Sequence, residues 1–247
     1  MSAPHAGTES ASSRRIGRAL VADPRHGPLP LLLLLLTAVT GLVDAVSILR
    51  LGRVFVANMT GNVMFTAFAL AKAPGFALAT SLLALLGFLV GAAAGGRLTA
   101  RLGRDRSLLL LAAAACELVL MLAGLWVSIA ATPLEATDRN ILAVLLALAM
   151  GIQNAAARTL AVPDLTTTVL TMTLTGIAAD ARDRSSRPAL FRRLLAVTTM
   201  LAGGLVGALL VLRSSTSAAL GTADGLLMLV TAGAALSTRR PANWRAG

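Results

Sequence analysis

Tyrosine is absent from this chain, lysine and cysteine occur once each, at Lys72 and Cys116, and both histidines, His5 and His26, precede the first hydrophobic run. A single cysteine excludes an intramolecular disulfide. Without histidine after residue 26, the body of the chain offers neither a histidine-based hydrolase nor an ordinary zinc site. No HExxH and no phosphate-loop pattern occurs either. Charge is also scarce. Asp, Glu, Lys and Arg make up 13% of the residues, against roughly 25% in soluble domains. We therefore expect no cofactor, no metal and no enzyme.

What is present is hydrophobic length. The chain is 56% hydrophobic over 247 residues, with a mean hydropathy of +0.79. Eight apolar segments can be drawn, at about 29–49, 58–73, 76–98, 107–130, 139–160, 164–181, 190–212 and 217–236. Several approach or exceed the ~20 residues that cross a bilayer as a helix. The fold class is an all-α polytopic membrane protein. Residues 1–28, rich in Ser, Arg and Pro, read as a disordered cytoplasmic tail. Residues 29–236 form one transmembrane domain, and 237–247 a second cytoplasmic tail. No small-residue cleavage site follows Leu31–Leu36 before Asp44, so the first helix is expected to stay attached. The net charge of +11 does not indicate nucleic acid, because the arginines sit at the ends of hydrophobic segments.

Those arginines bear on topology. If all eight segments cross, with the N-terminus inside, 14 basic residues lie inside and 8 outside. If the two shortest segments, 58–73 and 164–181, enter and return, six crossings remain and the division becomes 17 to 5. The second arrangement follows the positive-inside rule better. It puts both termini in the cytoplasm and the acidic linker 132–138 outside.

The two halves, about 29–130 and 139–236, can be laid over each other. Gly41 to Ala45 matches Gly151 to Ala155, Asn58 to Val63 matches Asp164 to Val169, and Gly87 and Gly91 match Gly203 and Gly207. Glu117 matches Asp224 more loosely. Three crossings per half would invert the second half, giving the 3+3 inverted repeat many secondary transporters use. Gly87, Gly91 and Gly95 have the GxxxG spacing of close helix packing, within the chain or at a homodimer seam.

Polar residues cluster at the breaks. Asp44 lies six residues, about 9 Å, from the end of its helix at Arg50. Ionisable groups at such depth face a cavity or a partner; the bland alternative pairs Asp44 with Arg50 or Arg53. Asn58, Thr60 and Asn62 open the first short segment, either as helix caps or as a helix N-terminus facing a solute. Asp164, Thr166, Thr167 and Thr168 follow Pro163 in the same way. Gln153 and Asn154 add amides. Glu117, near the middle of its segment, is a proton site, a helix–helix hydrogen bond or a partner of Arg158. Cys116 reads as a small packing residue.

The run GLVDAVSILRLGRVFVANMTGNVMFTAFALA, followed by GIQNAAARTLAVPDLTTTVLTMTLTGIAAD, resembles the YoaK family of bacterial membrane proteins over about residues 30–236. Gly41, Asp44, Asn58–Asn62, Gly151, Gln153, Asn154, Pro163 and Thr166–Thr168 carry the likeness. The resemblance implies a roughly six-helix protein of the bacterial inner membrane and no assigned substrate. The expected function is a small-solute secondary transporter or permease in the lipid bilayer. Its pathway would run past Asp44, Asn58, Thr60, Asn62, Glu117, Gln153, Asn154, Asp164 and Thr166–Thr168. The rival expectation is a non-transporting scaffold, sensor or assembly partner.

Overall fold

The computed structural model describes residues 25–131, 133–163, 165, 167, 170–180, 187–239 and 243–245. Among them are eight α-helices and no strand. They are α1 (Leu29–Arg50), α2 (Met59–Leu70), α3 (Leu78–Leu102), α4 (Arg106–Ala130), α5 (Ala136–Leu160), α6 (Leu170–Ala179), α7 (Arg187–Arg213) and α8 (Thr216–Thr238). A 3-10 turn, Asn243–Arg245, follows. Six helices are long and apolar enough to cross a membrane; α2 and α6 are not.

Local chemistry sets most boundaries. Pro30 stands in the first turn of α1, where its missing N–H costs nothing. Asp105 caps α4 by accepting from Ser107 and Leu108 N–H. Glu135 and Asp138 form a reciprocal capping box at α5. Ser215 caps α8. Helix α5 ends at Ala161 in the left-handed region (φ 46°), and Pro163 two residues on bars its continuation.

Contacts at the two ends decide the topology. Arg106 lies 3.2 Å from His26 Nδ1 and donates to the Leu160 carbonyl. Arg245 pairs with Asp105 and donates to Thr238 O. Residues 26, 105, 106, 160, 238 and 245 therefore share one end of the bundle, here the near end. At the far end Arg50 donates to Val211 O (2.8 Å), Ser128 meets Ser217 (3.1 Å), and Thr80 donates to Asn140 (2.7 Å). The α3–α4 loop thus lies beside His26 and Arg245, the two ends of the described residues. Eight crossings would put it opposite them, so six remain. Helix α2 enters and returns at the far end, and α6 does so at the near end.

Helices α1 and α5 form the centre and are mostly buried, whereas α7 is mostly exposed. Each is gripped by a neighbour from the other half: α5 packs on α3, and α1 on α7. Helix α4 packs on α5 and α8, and α8 also on α1. Glycine makes the tightest crossings. A methyl on Gly91 would strike the Leu148 carbonyl, one on Gly151 the Phe88 carbonyl, and one on Gly203 the Ala38 carbonyl. Gly87 and Gly95 face Val144 and Ile152 of α5, and Gly207 faces Leu42 of α1. The glycine stripe of α3 is filled by α5 of the same chain, so it requires no dimer seam.

Register corrects one sequence match. Gly91 meets Leu148 as Gly203 meets Ala38, and Gly95 meets Ile152 and Ala155 as Gly207 meets Leu42 and Ala45. Gly91 and Gly95, rather than Gly87 and Gly91, are therefore the counterparts of Gly203 and Gly207. Repetitive GxxxG spacing slips by one turn without changing its appearance.

The outward faces are apolar. Leu86, Val90, Val119, Trp126, Leu201 and Leu229 are all exposed, an apolar belt for lipid to cover. Cys116 lies on the exposed face of α4, which corrects its reading as a packing residue.

Candidate functional site

The α1–α2 break is a built structure. Leu51, Val54, Val56 and Ala57 are buried although they belong to no helix, and their segment turns back to the depth of Asp44. There the backbone N–H groups of Val56 and Ala57 meet the Asp44 side chain. Asn62, fully buried, accepts from Phe55 N–H (2.8 Å) and donates to Phe55 O, as a neighbouring strand would. Phe55 stacks on Phe65 at 5.7 Å between centroids, and Phe76 lies 5.2 Å from Phe65 and 5.4 Å from Phe68. Four of the six phenylalanines thus pin this hairpin.

Among the described residues Asp44 has no ion-pair partner. Arg50 is spent on Val211 O and Arg53 lies against Gly75. The pairing of Asp44 with Arg50 or Arg53 considered from sequence does not form. Asp44 Oδ1 is buried with no hydrogen-bond partner. Asp44 opens onto a crevice of about 380 Å³ between α1 and α7, lined by Gly41, Ala45, Ile48, Leu49, Phe55, Met200, Gly204 and Ala208.

A second crevice, of about 590 Å³, lies between α5 and α3. Its lining includes Asn154, Ala155, Arg158, Thr159, Phe88, Ala92, Gly96, Thr99 and Thr167. The two are built from equivalent positions. Asp44, Ala45, Ile48 and Leu49 of α1 correspond one for one, at a constant offset, to Asn154, Ala155, Arg158 and Thr159 of α5. Met200, Gly204 and Ala208 of α7 correspond in the same way to Phe88, Ala92 and Gly96 of α3. The first crevice occupies the far half of the bundle and the second the near half. Their chemistry differs: the far one has a lone acid on apolar walls, the near one an arginine, an amide and hydroxyls.

A polar layer runs between them at mid-height. Gln153 on α5 donates to Thr40 on α1 (2.9 Å), and Thr40 donates on to Leu36 O. Gln153 Oε1 is buried without a partner. Glu117 on α4 and Asp224 on α8 are both buried, 1% and 2% exposed. Glu117 Oε1 and both Asp224 carboxyl oxygens are buried without hydrogen-bond partners. The Glu117–Arg158 pair considered from sequence does not form: Arg158 is exposed at the near crevice, whereas Glu117 is buried.

The structure scatters the other sequence candidates. Asn58 is exposed and its side chain caps nothing. Thr60 is exposed. Asp44 and Asn154 lie in different crevices. Thr167 is buried, with its hydroxyl unpartnered. Asp164, Thr166 and Thr168 lie outside the described residues. Thr40 and Asp224 are the site residues that sequence reasoning misses. The available signal for Asp224 is its place as an acid well inside an apolar segment.

A family model described as "Protein of unknown function (DUF1275)" matches residues 32–233. The UPF0700 transmembrane protein YoaK of Bacillus subtilis (strain 168) is 35% identical over 154 residues, 62% of this chain and 67% of that protein. No solved structure matches.

Proposed function

The chain belongs to the DUF1275 family, and on that footing we propose that it is a small-solute secondary transporter or permease of the bacterial inner membrane. The observation that carries this reading is the pair of equivalent crevices, one open in each half of the bundle, each beside a break that re-enters from that end. We read them as the two faces of a 3+3 inverted repeat, the arrangement that lets one site open alternately to either side. In this reading the arginine-rich near end is cytoplasmic. Asp44 is then the coupling group on the external side. Asn154, Arg158, Thr159 and Thr167 supply the polar wall on the internal side. Asn62 belongs to the pathway indirectly, by holding Phe55 against the mouth of the far crevice.

The test uses single cysteines in a Cys116→Ala background. Ala208→Cys should react with an impermeant maleimide from outside only, and Ala155→Cys from the cytoplasmic side only. In sealed vesicles Asp44→Asn should abolish pH-gradient-driven movement of any solute found by thermal-shift screening. Silence at both cysteines, or reaction of both from one side, would favour the non-transporting scaffold, sensor or assembly partner instead.

A further inference from the structure

We propose that the far crevice seats a small lipophilic cation, an ammonium group on an apolar body, with the ammonium on Asp44. This deepens the transport reading, which it needs only for calling the cation a solute; the binding itself stands apart.

Shape and wall chemistry set the class of ligand. The crevice holds about 380 Å³, within the roughly 300–1,000 Å³ of small-molecule sites. Ala45, Ile48 and Leu49 of α1, Met200 and Ala208 of α7, and Phe55 of the hairpin line it with apolar side chains. Two glycines shape the gap between the helices. Gly41 lets α1 and α7 touch, because a Cβ there would strike the Met200 carbonyl and Gly204 N. A Cβ on Gly204 would have one neighbour within 4 Å, the Gly41 carbonyl oxygen at 3.9 Å, so Gly204 borders open space.

A single ionisable group faces this space. Asp44 is 9% exposed, and its Oδ1 has no hydrogen-bond partner. The N–H groups of Val56 and Ala57 meet the carboxyl from the hairpin. No arginine answers it: Arg50 donates to Val211 O and Arg53 lies against Gly75. Helix α7 has no basic residue between Arg193 and Arg213, each more than a turn beyond the crevice. Helix α8, also packed on α1, has none at all. An ammonium supplies both the missing charge and a donor for Oδ1, in a charge-assisted hydrogen bond. A bare metal ion does not fit, because Asp44 is the one oxygen-bearing side chain in the lining, and calcium or magnesium takes about six oxygens or more. An uncharged chain would leave Oδ1 unpaired. The near crevice has Asn154 and Arg158 where the far one has Asp44 and Ile48, so this seat belongs to the far crevice alone.

The test is calorimetric titration of the full chain in detergent, in mildly alkaline buffer, with 4-phenylbutylamine and its neutral match 4-phenylbutanol. Each compound is also titrated into protein-free micelles. The amine should bind wild type about ten- to a hundredfold more tightly than the alcohol, the worth of a hydrogen bond to a charged group. Asp44→Asn should erase that preference. Gly204→Leu fills the open space without touching Asp44 and should abolish amine binding. Equal affinity for the two compounds in wild type would make the crevice an apolar groove for lipid chains and overturn the proposal. Absence of amine binding, a preference that survives Asp44→Asn, or undiminished binding in Gly204→Leu overturns it as well. Size-exclusion profiles verify folding, and if Asp44→Asn does not fold, the amine–alcohol comparison and Gly204→Leu still decide. No gradient and no sidedness are needed, so failure here is distinct from failure of the cysteine test for transport.

Discussion

Replacing Gly91 by alanine tests the helix crossing on which both crevices depend. A Cβ at residue 91 would penetrate the Leu148 carbonyl and lie 2.9 Å from Leu148 Cα. Those are backbone atoms inside a continuous helix, so no side chain can yield. Helix α5 must retreat from α3, and the contacts of Gly87 with Val144 and Gly95 with Ile152 loosen with it. Overpacking of this kind costs about 1–3 kcal/mol. Gly96, further along the same helix, has nothing within 4 Å of its would-be Cβ. Gly96→Ala should then gain up to about 1 kcal/mol from helix propensity. The two variants should differ by about 1–4 kcal/mol, or roughly 2–16 °C in Tm. Thermal scans in detergent, read by fluorescence-detected size exclusion, measure this directly. Gly203→Ala should behave like Gly91→Ala, because its methyl meets the Ala38 carbonyl. Equal melting of Gly91→Ala and Gly96→Ala would refute the assigned packing of α3 on α5.

Asn62→Ala strips the side-chain partners from Phe55 N–H and C=O. It should cost about 2–4 kcal/mol, whereas the exposed Thr60→Ala should stay within about 0.5 kcal/mol; the same thermal scan compares them. Asp105 is pushed up by burial but held down more strongly by hydrogen bonds from Arg245, Ser107 and Leu108, for a net pKa of about 2 against 3.8. Its stabilising contribution is therefore complete above pH ~4 and is lost as pH falls through about 2. In a Trp126→Phe background, Trp244 emission should be constant from pH 8 to about 4 and change below that, while Asp105→Ala changes it at pH 7. That variant should also cost about 1–2 kcal/mol, from a lost cap and a partly exposed ion pair. Topology reporters fused after Arg104 and after Arg187 should give the same signal, and one fused at Pro133 the opposite; unlike signals at the first two sites would overturn the six-crossing fold.

How much of this was legible in the residues follows from what each signal depends on. Hydropathy is a local sum, so the sequence determined the eight apolar segments to within a few residues. It also told the six long ones from the two short ones, because bilayer thickness is a fixed ruler. Arginine placement already favoured six crossings, and family likeness was plain in Gly41, Asp44, Asn58–Asn62 and Gln153–Asn154. Pairing was not legible, because a GxxxG stripe does not specify its partner. Only the tertiary structure put Gly91 against Leu148 and so moved the repeat match by one turn. Partnership of charges was equally hidden. Arg50 could reach Asp44 by spacing alone, yet the fold turns Arg50 to Val211 and brings the Val56 and Ala57 amides to Asp44. Glu117 was visible as a deep acid. That its helix packs on α8, which buries a second acid, Asp224, in the other half of the chain, depends on the tertiary fold, which no local pattern encodes.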